Sequence, residues 1–413
     1  MFRPRPKQLE ILQYTNGKMG ISAVPGSGKT QTLSYLASHL LYEGKLDDDQ
    51  EILVVTLVNS AVNNFSTRIA SFMQGFGMLP GVGYRVRTLH GLAHDIVRER
   101  PDLVGLGNEF DILDERETNQ ILGSSIESWL KRNPNFIDRW GKPDYANSAR
   151  QTQISDWQSA ISSVCTNFIR TAKDLQISPQ EIYSRLSDLK INDSLLGLGV
   201  EIYEDYQRAL NYRSAVDFDD LIRLALMALQ IDPDYLNRLR NQWPYILEDE
   251  AQDSSRLQEL ILSTLVGENG NWVRVGDPNQ AIFESFTTAS PEYLKSFLTQ
   301  PDVISKTLPN SGRSTLSIIN LANELIRWTK QDHPIYALRH ALTRPYIEPT
   351  PKYDPQPNPE DHPEKIFIFD KSQSSDQEIK TVVYSLSKWL PENLESTVAV
   401  LVPRNFRGGK IVD

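Results

Sequence analysis

The stretch Ala23-Val24-Pro25-Gly26-Ser27-Gly28-Lys29-Thr30 constrains this chain more than any other. Glycines there admit a backbone that side chains would block, so successive N–H groups around Gly26, Ser27 and Gly28 can face phosphate oxygens. Lys29 can then reach the β- and γ-phosphates, and the Thr30 hydroxyl can ligate Mg²⁺. The flanks agree: a strand-like run, Gly20 to Ala23, precedes the loop, and a helix-like run, Thr32 to Leu41, follows it. A strand–loop–helix unit of this kind presents the helix N-terminus to an anion. The strict pattern has Gly where Ala23 stands, a mild departure.

The order of elements predicts a parallel α/β fold. Met19–Ala23, Glu51–Thr56 and Arg85–Thr88 are β-branched runs separated by helical patterns. From Arg98 to Leu210 the strand signals vanish, and spacings such as Trp157, Ile161, Val164, Phe168 and Ala172 predict an all-helical insertion with that stripe in its core. Strand-like runs return at Tyr245–Leu247 and Trp272–Val275, then at Lys365–Phe369 and Thr397–Val402. Pro345 to Pro363 carries seven prolines among polar residues, which fits an extended loop or linker. The domains expected are 1–97 and 211–290 as two parts of one α/β domain, 98–210 as the insertion, and 291–413 as the incomplete start of a second domain. Arg404 to Asp413 reads as a loop leading into a new helix, so a truncated protein is expected.

Composition excludes some classes. One cysteine, Cys165, permits no intrachain disulfide and suits a reducing, cytoplasmic home. The N-terminus has no apolar core of a signal peptide, and no run of about 18 apolar residues suggests a membrane span. A net charge of −10 disfavours coating nucleic acid by bulk attraction, although a local basic groove survives that average.

Tyr245-Ile-Leu-Glu-Asp-Glu-Ala-Gln-Asp253 places acids at the C-terminal end of a strand, where ligands collect in open α/β sheets. Phosphoanhydride hydrolysis needs one carboxylate for hydrated Mg²⁺ and another for the attacking water, and Asp249 and Glu250 suit those roles. Glu248 leaves two registers open. Gln280, in Gly276-Asp-Pro-Asn-Gln280, could sense a γ-phosphate. Arg313, in Asn310-Ser-Gly-Arg-Ser314, could neutralise a transferring phosphoryl group.

The ordered set resembles the UvrD/Rep/PcrA branch of superfamily 1 DNA helicases over essentially the whole chain. The matches are Arg5-Pro-Lys-Gln8, AVPGSGKT, Thr56-Leu-Val-Asn-Ser-Ala61, Thr88-Leu-His90, Asp217-Phe-Asp-Asp-Leu-Ile222, Asp249-Glu-Ala-Gln-Asp253, Gly276-Asp-Pro-Asn-Gln-Ala-Ile282 and Gly312-Arg-Ser314. The resemblance implies a RecA-like P-loop domain with an all-helical insertion, followed by an incomplete second RecA-like domain. It implies MgATP between the two, single-stranded DNA or single/double-strand junctions across them, and 3′→5′ movement. By carry-over, Gln8 reads adenine, Lys29 and Thr30 serve phosphates and metal, Asp249 supports the metal, and Glu250 is the base. Gln280 and Arg313 contact the γ-phosphate. Thr56, Asn59, Thr88, His90, Phe283 and Phe286 are the candidate DNA contacts. Protein partners are not indicated, and none is a membrane.

The departures matter. Leu57 and Ser60 stand where the family commonly has a stacking phenylalanine and a lysine. Tyr-Gly-Trp-Arg becomes Phe283-Glu-Ser-Phe286-Thr287, and the adenine-stacking tyrosine beside Arg313 becomes Gly312. The family's later motifs supply a second arginine, so the expectation is MgATP binding with poor hydrolysis by these residues alone. His90 and His94, four apart, lack the further ligands of a metal site. Two alternatives stand beside the helicase: a nucleotide-gated DNA-binding protein without productive hydrolysis, and the motor of a helicase–nuclease.

Overall fold

A computed structural model describes residues 2–136, 147–190, 194–281, 288–402 and 405–412. The first compact unit runs from Met1 to Glu360. Its centre is a six-stranded, all-parallel sheet in the order β3-β2-β6-β7-β1-β8. The strands are β1 (Lys18–Ala23), β2 (Ile52–Thr56), β3 (Tyr84–Thr88), β6 (Tyr245–Glu248), β7 (Asn271–Gly276) and β8 (Val303–Leu308). Two-residue strands β4 (Asp111–Ile112) and β5 (Ala215–Val216) pair with each other beside the insertion. β9 (Asn310–Ser311) pairs with β10 (Glu348–Pro349).

Central parallel strands are apolar on both faces because helices cover both. β2 shows it residue by residue: Ile52 and Val54 join one core with Leu36, Leu40, Phe65 and Ile69, while Leu53 and Val55 join the other with Leu92, Ile96, Leu224 and Ile261. The first core lies under α1 (Pro6–Leu12), α2 (Lys29–Tyr42) and α3 (Asn59–Gly75). The second lies under α4 (Leu89–Glu99) and, later in the chain, α9 (Phe218–Ile231), α10 (Pro233–Gln242) and α11 (Arg256–Val266).

Between the two halves of the sheet run α5 (Glu115–Arg132), α6 (Asn147–Asp174), α7 (Pro179–Asp188) and α8 (Ser194–Tyr212), with their own core of Ile126, Trp129, Ile161, Cys165, Ile169 and Ile202. The buried stripe of α6 is Ile161, Cys165, Ile169 and Ala172, whereas Val164 is 52% exposed. Of the expected stripe, Ile161 and Ala172 are buried and Phe168 packs against this core, whereas Val164 gives way to Cys165 and Ile169. Steps of four from Ile161 keep to one side of a helix, and Val164 falls outside that stripe.

Two further expectations change. α12 (Pro291–Leu298) and β8 belong to the first sheet, since β8 pairs with β1 from Lys18↔Val303 to Ala23↔Leu308. A boundary at residue 290 would cut that pairing. In the second unit, Asp361–Asp413, the runs Lys365–Phe369 and Thr397–Val402 form no strands. Phe367 and Leu401 are 80% and 94% exposed. A β-branched run becomes a strand only beside another strand, and among the described residues of this unit stand two α-helices and no strand: α14 (Ser375–Trp389) and α15 (Asn405–Val412), joined by an Arg407–Glu378 ion pair at 2.9 Å. α13 (Leu316–Asp332) follows β9 within the first unit, before β10.

Candidate nucleotide site and adjoining cleft

The loop after β1 turns sharply because Gly26 and Gly28 hold φ of 74° and 82°, a region that side chains disfavour. Close approach adds a second reason: a Cβ on Gly26 would lie 2.5 Å from Arg313 Cβ, and one on Gly28 2.8 Å from Gln8 Nε2. Gly28 caps α2 without any side-chain hydrogen bond, so the first N–H groups of that helix are open to a ligand. Burial of Leu33, Leu36 and Leu40, at about 1.5–3 kcal/mol each, holds the helix without a polar cap.

Two side chains of the loop meet the acids at the end of β6. Lys29 Nζ donates to Glu250 Oε2 at 2.7 Å, and Thr30 Oγ1 donates to Asp249 Oδ2 at 3.2 Å. Glu248 is elsewhere. Its Oε2 pairs with Arg274 Nε at 2.7 Å, and its Oε1 accepts from Ser254 Oγ at 2.7 Å. Arg274 also pairs with Glu259 at 2.6 Å and lies over the rings of Trp272 and Phe297. This resolves the two registers that three consecutive acids allow: Glu248 is structural, and Asp249 with Glu250 faces the loop. Burial, and then the adjacent Glu250, push the Asp249 carboxyl above its ordinary range against the pull of Lys29.

Glu250 itself sits at φ 56° and ψ 39°, left-handed backbone for a residue with a side chain. Such strain costs about 1–2 kcal/mol and is held here by the surrounding hydrogen bonds. Gln252, a residue that sequence reasoning passed over, is the principal brace. Its Nε2 donates to Glu250 Oε2 at 2.9 Å and to Asp253 Oδ2 at 3.0 Å, and its Oε1 accepts from Asp277 N at 3.0 Å. One amide thus joins the acidic loop to the loop that carries Gln280. The only sequence signal for it was its place inside DEAQD.

Gln280 ends a single turn, Pro278–Gln280, and its N–H donates to Asp277 O at 2.9 Å. Arg313 is exposed and packs its Cβ against Gly26, while Gly312 N donates to Gly26 O at 3.3 Å. Gln8 is buried; its Oε1 accepts from Arg5 N at 2.8 Å and its Nε2 donates to Ser27 O at 3.1 Å. Lys29, Thr30, Asp249 and Glu250 therefore meet directly, with Gln8 and Arg313 flanking the loop.

The residues fit a magnesium nucleotide. Ser27 Oγ is buried without a hydrogen-bond partner, two glycines leave room for phosphate, and the helix N-terminus is uncapped. Thr30 and Asp249 supply the hydroxyl and single carboxylate that Mg²⁺ commonly takes beside phosphate and water. Among the described residues no group of three or more His, Cys, Asp or Glu forms a self-contained metal site. The family profile of the UvrD/REP helicase N-terminal domain matches residues 5–302. The chain belongs to the UvrD/REP helicase family. It is similar to the ATP-dependent DNA helicase PcrA of Leuconostoc citreum, 28% identical over 328 residues, which cover 79% of this chain and 39% of that protein. The PcrA proteins of Staphylococcus epidermidis and Staphylococcus aureus are each 26% identical over 329 residues, covering 79% of this chain and 40% of theirs. The chain spans about two fifths of the length of these curated relatives.

On this UvrD/REP domain a cleft of about 760 Å³ opens beside the nucleotide site, at the ends of β2 and β3. Asn59, Thr88, His90 and Phe218 line it. Thr88 Oγ1 caps α4 by accepting from Gly91 N at 3.1 Å, which leaves its hydroxyl proton available. His90 meets the Phe218 ring edge-on at 5.5 Å, and burial lowers its pKa, so it is neutral at pH 7. Thr56 Oγ1 is buried without a partner. Phe283 and Phe286 lie outside the described residues. Behind the cleft, fully buried Lys173 binds Asp217 at 2.5 Å and Asp220 at 2.8 Å, and Tyr206 donates to Asp217 at 2.7 Å. Burial opposes charge at Lys173, but the two carboxylates override it and raise its pKa. This cluster ties α6 and α8 of the insertion to α9 of the UvrD/REP core. Among the described residues, no helix is long and apolar enough to cross a membrane.

Proposed function

We propose that this chain is the ATP-binding part of an ATP-dependent DNA translocase and helicase, working 3′→5′ on single-stranded DNA and at its junctions with duplex. The observation that carries the reading is the convergence of Lys29 on Glu250 and of Thr30 on Asp249 at the C-terminal ends of parallel strands. The relatives' printed name, ATP-dependent DNA helicase, supports the same reaction.

Thr30 and Asp249 would hold Mg²⁺, which would neutralise charge on the phosphates when bound. Lys29 exchanges its Glu250 partner for a phosphate oxygen, which frees the Glu250 carboxylate to take a proton from the attacking water. Gln252 holds that carboxylate in place and carries its position to Asp277 and the Gln280 turn. Gln280 and Arg313 face the γ-phosphate, Asn59, Thr88 and His90 take the DNA backbone, and Thr56 supports them at the end of β2. Hydrolysis measured with and without single-stranded DNA tests the reading: it predicts binding of MgATP that Lys29→Ala abolishes, and turnover that Glu250→Gln lowers about 10²–10⁴-fold. Turnover indifferent to both changes would sink it.

A further inference from the structure

The proline-rich segment after α13 forms a strap that is tied down at both ends. Asn279, next to Gln280, clamps its start, donating to Thr343 O at 2.8 Å and accepting from Thr343 N at 2.7 Å. β10 then pairs with β9, directly before Gly312. Asp354 takes Arg5 through two bonds, Nε at 2.7 Å and Nη2 at 3.2 Å, with both side chains largely buried. At the far end Asn358 uses its whole side-chain amide. Its Oδ1 accepts from Thr350 N at 2.8 Å and Thr350 Oγ1 at 2.9 Å, and its Nδ2 donates to Ser311 O at 2.7 Å and Ser314 O at 2.9 Å.

Those two carbonyls stand on either side of Gly312 and Arg313. Gly312 N donates to Gly26 O at 3.3 Å and Arg313 packs its Cβ against Gly26, so this short stretch leans directly on the phosphate loop, and the Arg313 side chain is exposed there. Glycine has the freest backbone of any residue, and it stands immediately before the arginine. The strap explains the glycine: a Cβ on Gly312 would lie 2.7 Å from Gln356 O and 2.8 Å from Arg5 Nη2. Through Asn358 the same strap then removes the freedom that the glycine brings. It also joins the Gln280 turn, at Asn279, to the Arg313 stretch, at Asn358.

We propose that Asn358 is a positioning residue of the nucleotide site, fixing the Arg313 guanidinium at the γ-phosphate by holding the backbone on both sides of it. The proposal rests on the reading above in which Arg313 faces that phosphate. A guanidinium on a braced stretch loses less freedom on binding a phosphate oxygen than one on a mobile loop, and the gain appears as affinity. The brace therefore acts on the triphosphate. A diphosphate, held by Lys29 and the loop N–H groups, does not sense it.

The test is displacement of a fluorescent ADP analogue from the whole chain by MgADP and by a non-hydrolysable ATP analogue with magnesium. The variants are Arg313→Ala, Asn358→Ala, Asn358→Asp and the double variant Arg313→Ala with Asn358→Ala. Arg313→Ala is expected to lower the preference for the triphosphate about tenfold. Asn358→Asp keeps the acceptor for Thr350 and loses both donations beside Arg313. Both Asn358 variants are expected to lower the same preference about fivefold, with MgADP affinity within about twofold of the unchanged protein, and the double variant should match Arg313→Ala alone. If Arg313→Ala lowers the preference but the Asn358 variants leave it unchanged, weaken both nucleotides equally or add to Arg313→Ala, the positioning role is overturned and the Arg313 reading stands. A preference untouched by Arg313→Ala overturns both.

Discussion

Glu248 and Asp249 are neighbours in sequence, yet their carboxylates work on opposite sides of the sheet. Glu248 Oε2 meets Arg274 at 2.7 Å on the face that carries Ile246 and Trp272, and Asp249 Oδ2 meets Thr30 at 3.2 Å at the phosphate loop. Alternation along β6 separates them: Tyr245 and Leu247 point to one core, Ile246 and Glu248 to the other.

The separation predicts that the two acids fail in different ways. Glu248→Ala leaves Arg274 buried with only Glu259, and should cost about 3–5 kcal/mol in urea unfolding while MgATP affinity per folded molecule is kept. Asp249→Asn removes a charge that burial and Glu250 already oppose, so stability should hold while magnesium-dependent binding drops tenfold or more. Matching losses in both assays from both variants would contradict the assignment.

Glu250 carries its own test, because its backbone is left-handed. Glu250→Gly and Glu250→Ala lose the same carboxylate and the same Lys29 pair, so their difference isolates the strain. The glycine variant should be more stable than the alanine variant by about 1 kcal/mol. Equal unfolding midpoints would show that the strain is not borne by this residue.

Much of this was legible from residues alone, and the failures share a cause. β1, β2, β6 and β7 were readable because central parallel strands are buried on both faces and largely apolar, β3 because its short β-branched run stands between helical patterns even at the edge, and the phosphate loop because only glycines permit its turn. β8 escaped notice because Val303-Ile-Ser-Lys-Thr-Leu308 is an edge strand, largely open to solvent and without a clean apolar pattern. Lys365–Phe369 and Thr397–Val402 had the pattern but no partner strand. Pairings at long range, such as Glu248 with Arg274, Arg5 with Asp354 and Lys173 with Asp217, leave no local trace. The Pro-rich stretch read correctly as extended, but not as anchored.

Lys173 is the cation between Asp217 and Asp220, and it holds the insertion to the sheet domain. Lys173→Met should destabilise by about 3–5 kcal/mol, since buried Asp217 loses its counter-charge and Asp220 is left with Arg223 at 3.2 Å. Adding Asp217→Asn and Asp220→Asn should recover a large part of that loss. A triple variant no better than Lys173→Met would mean that the ion cluster is not the source of the cost.

Asp277 links the site to pH. Burial, with Glu250 adding to it, raises its carboxyl from 3.8 to about 6, against the hydrogen bond from Asn279 N. The folded protein thus keeps this proton between about pH 4 and pH 6, where the unfolded chain has released it. The residue's contribution is most favourable below pH 4 and is lost as pH rises through 6. Asp277→Asn keeps an acceptor for Asn279 N–H and has no proton to lose. Relative to the unchanged protein, it should be equally stable near pH 4 and more stable at pH 7, by at most about 3 kcal/mol. Urea unfolding of both proteins at pH 4.5, 5.5 and 7 checks the sign, and a stability difference that does not grow with pH would show that Asp277 ionises in the folded protein as it does in the unfolded chain.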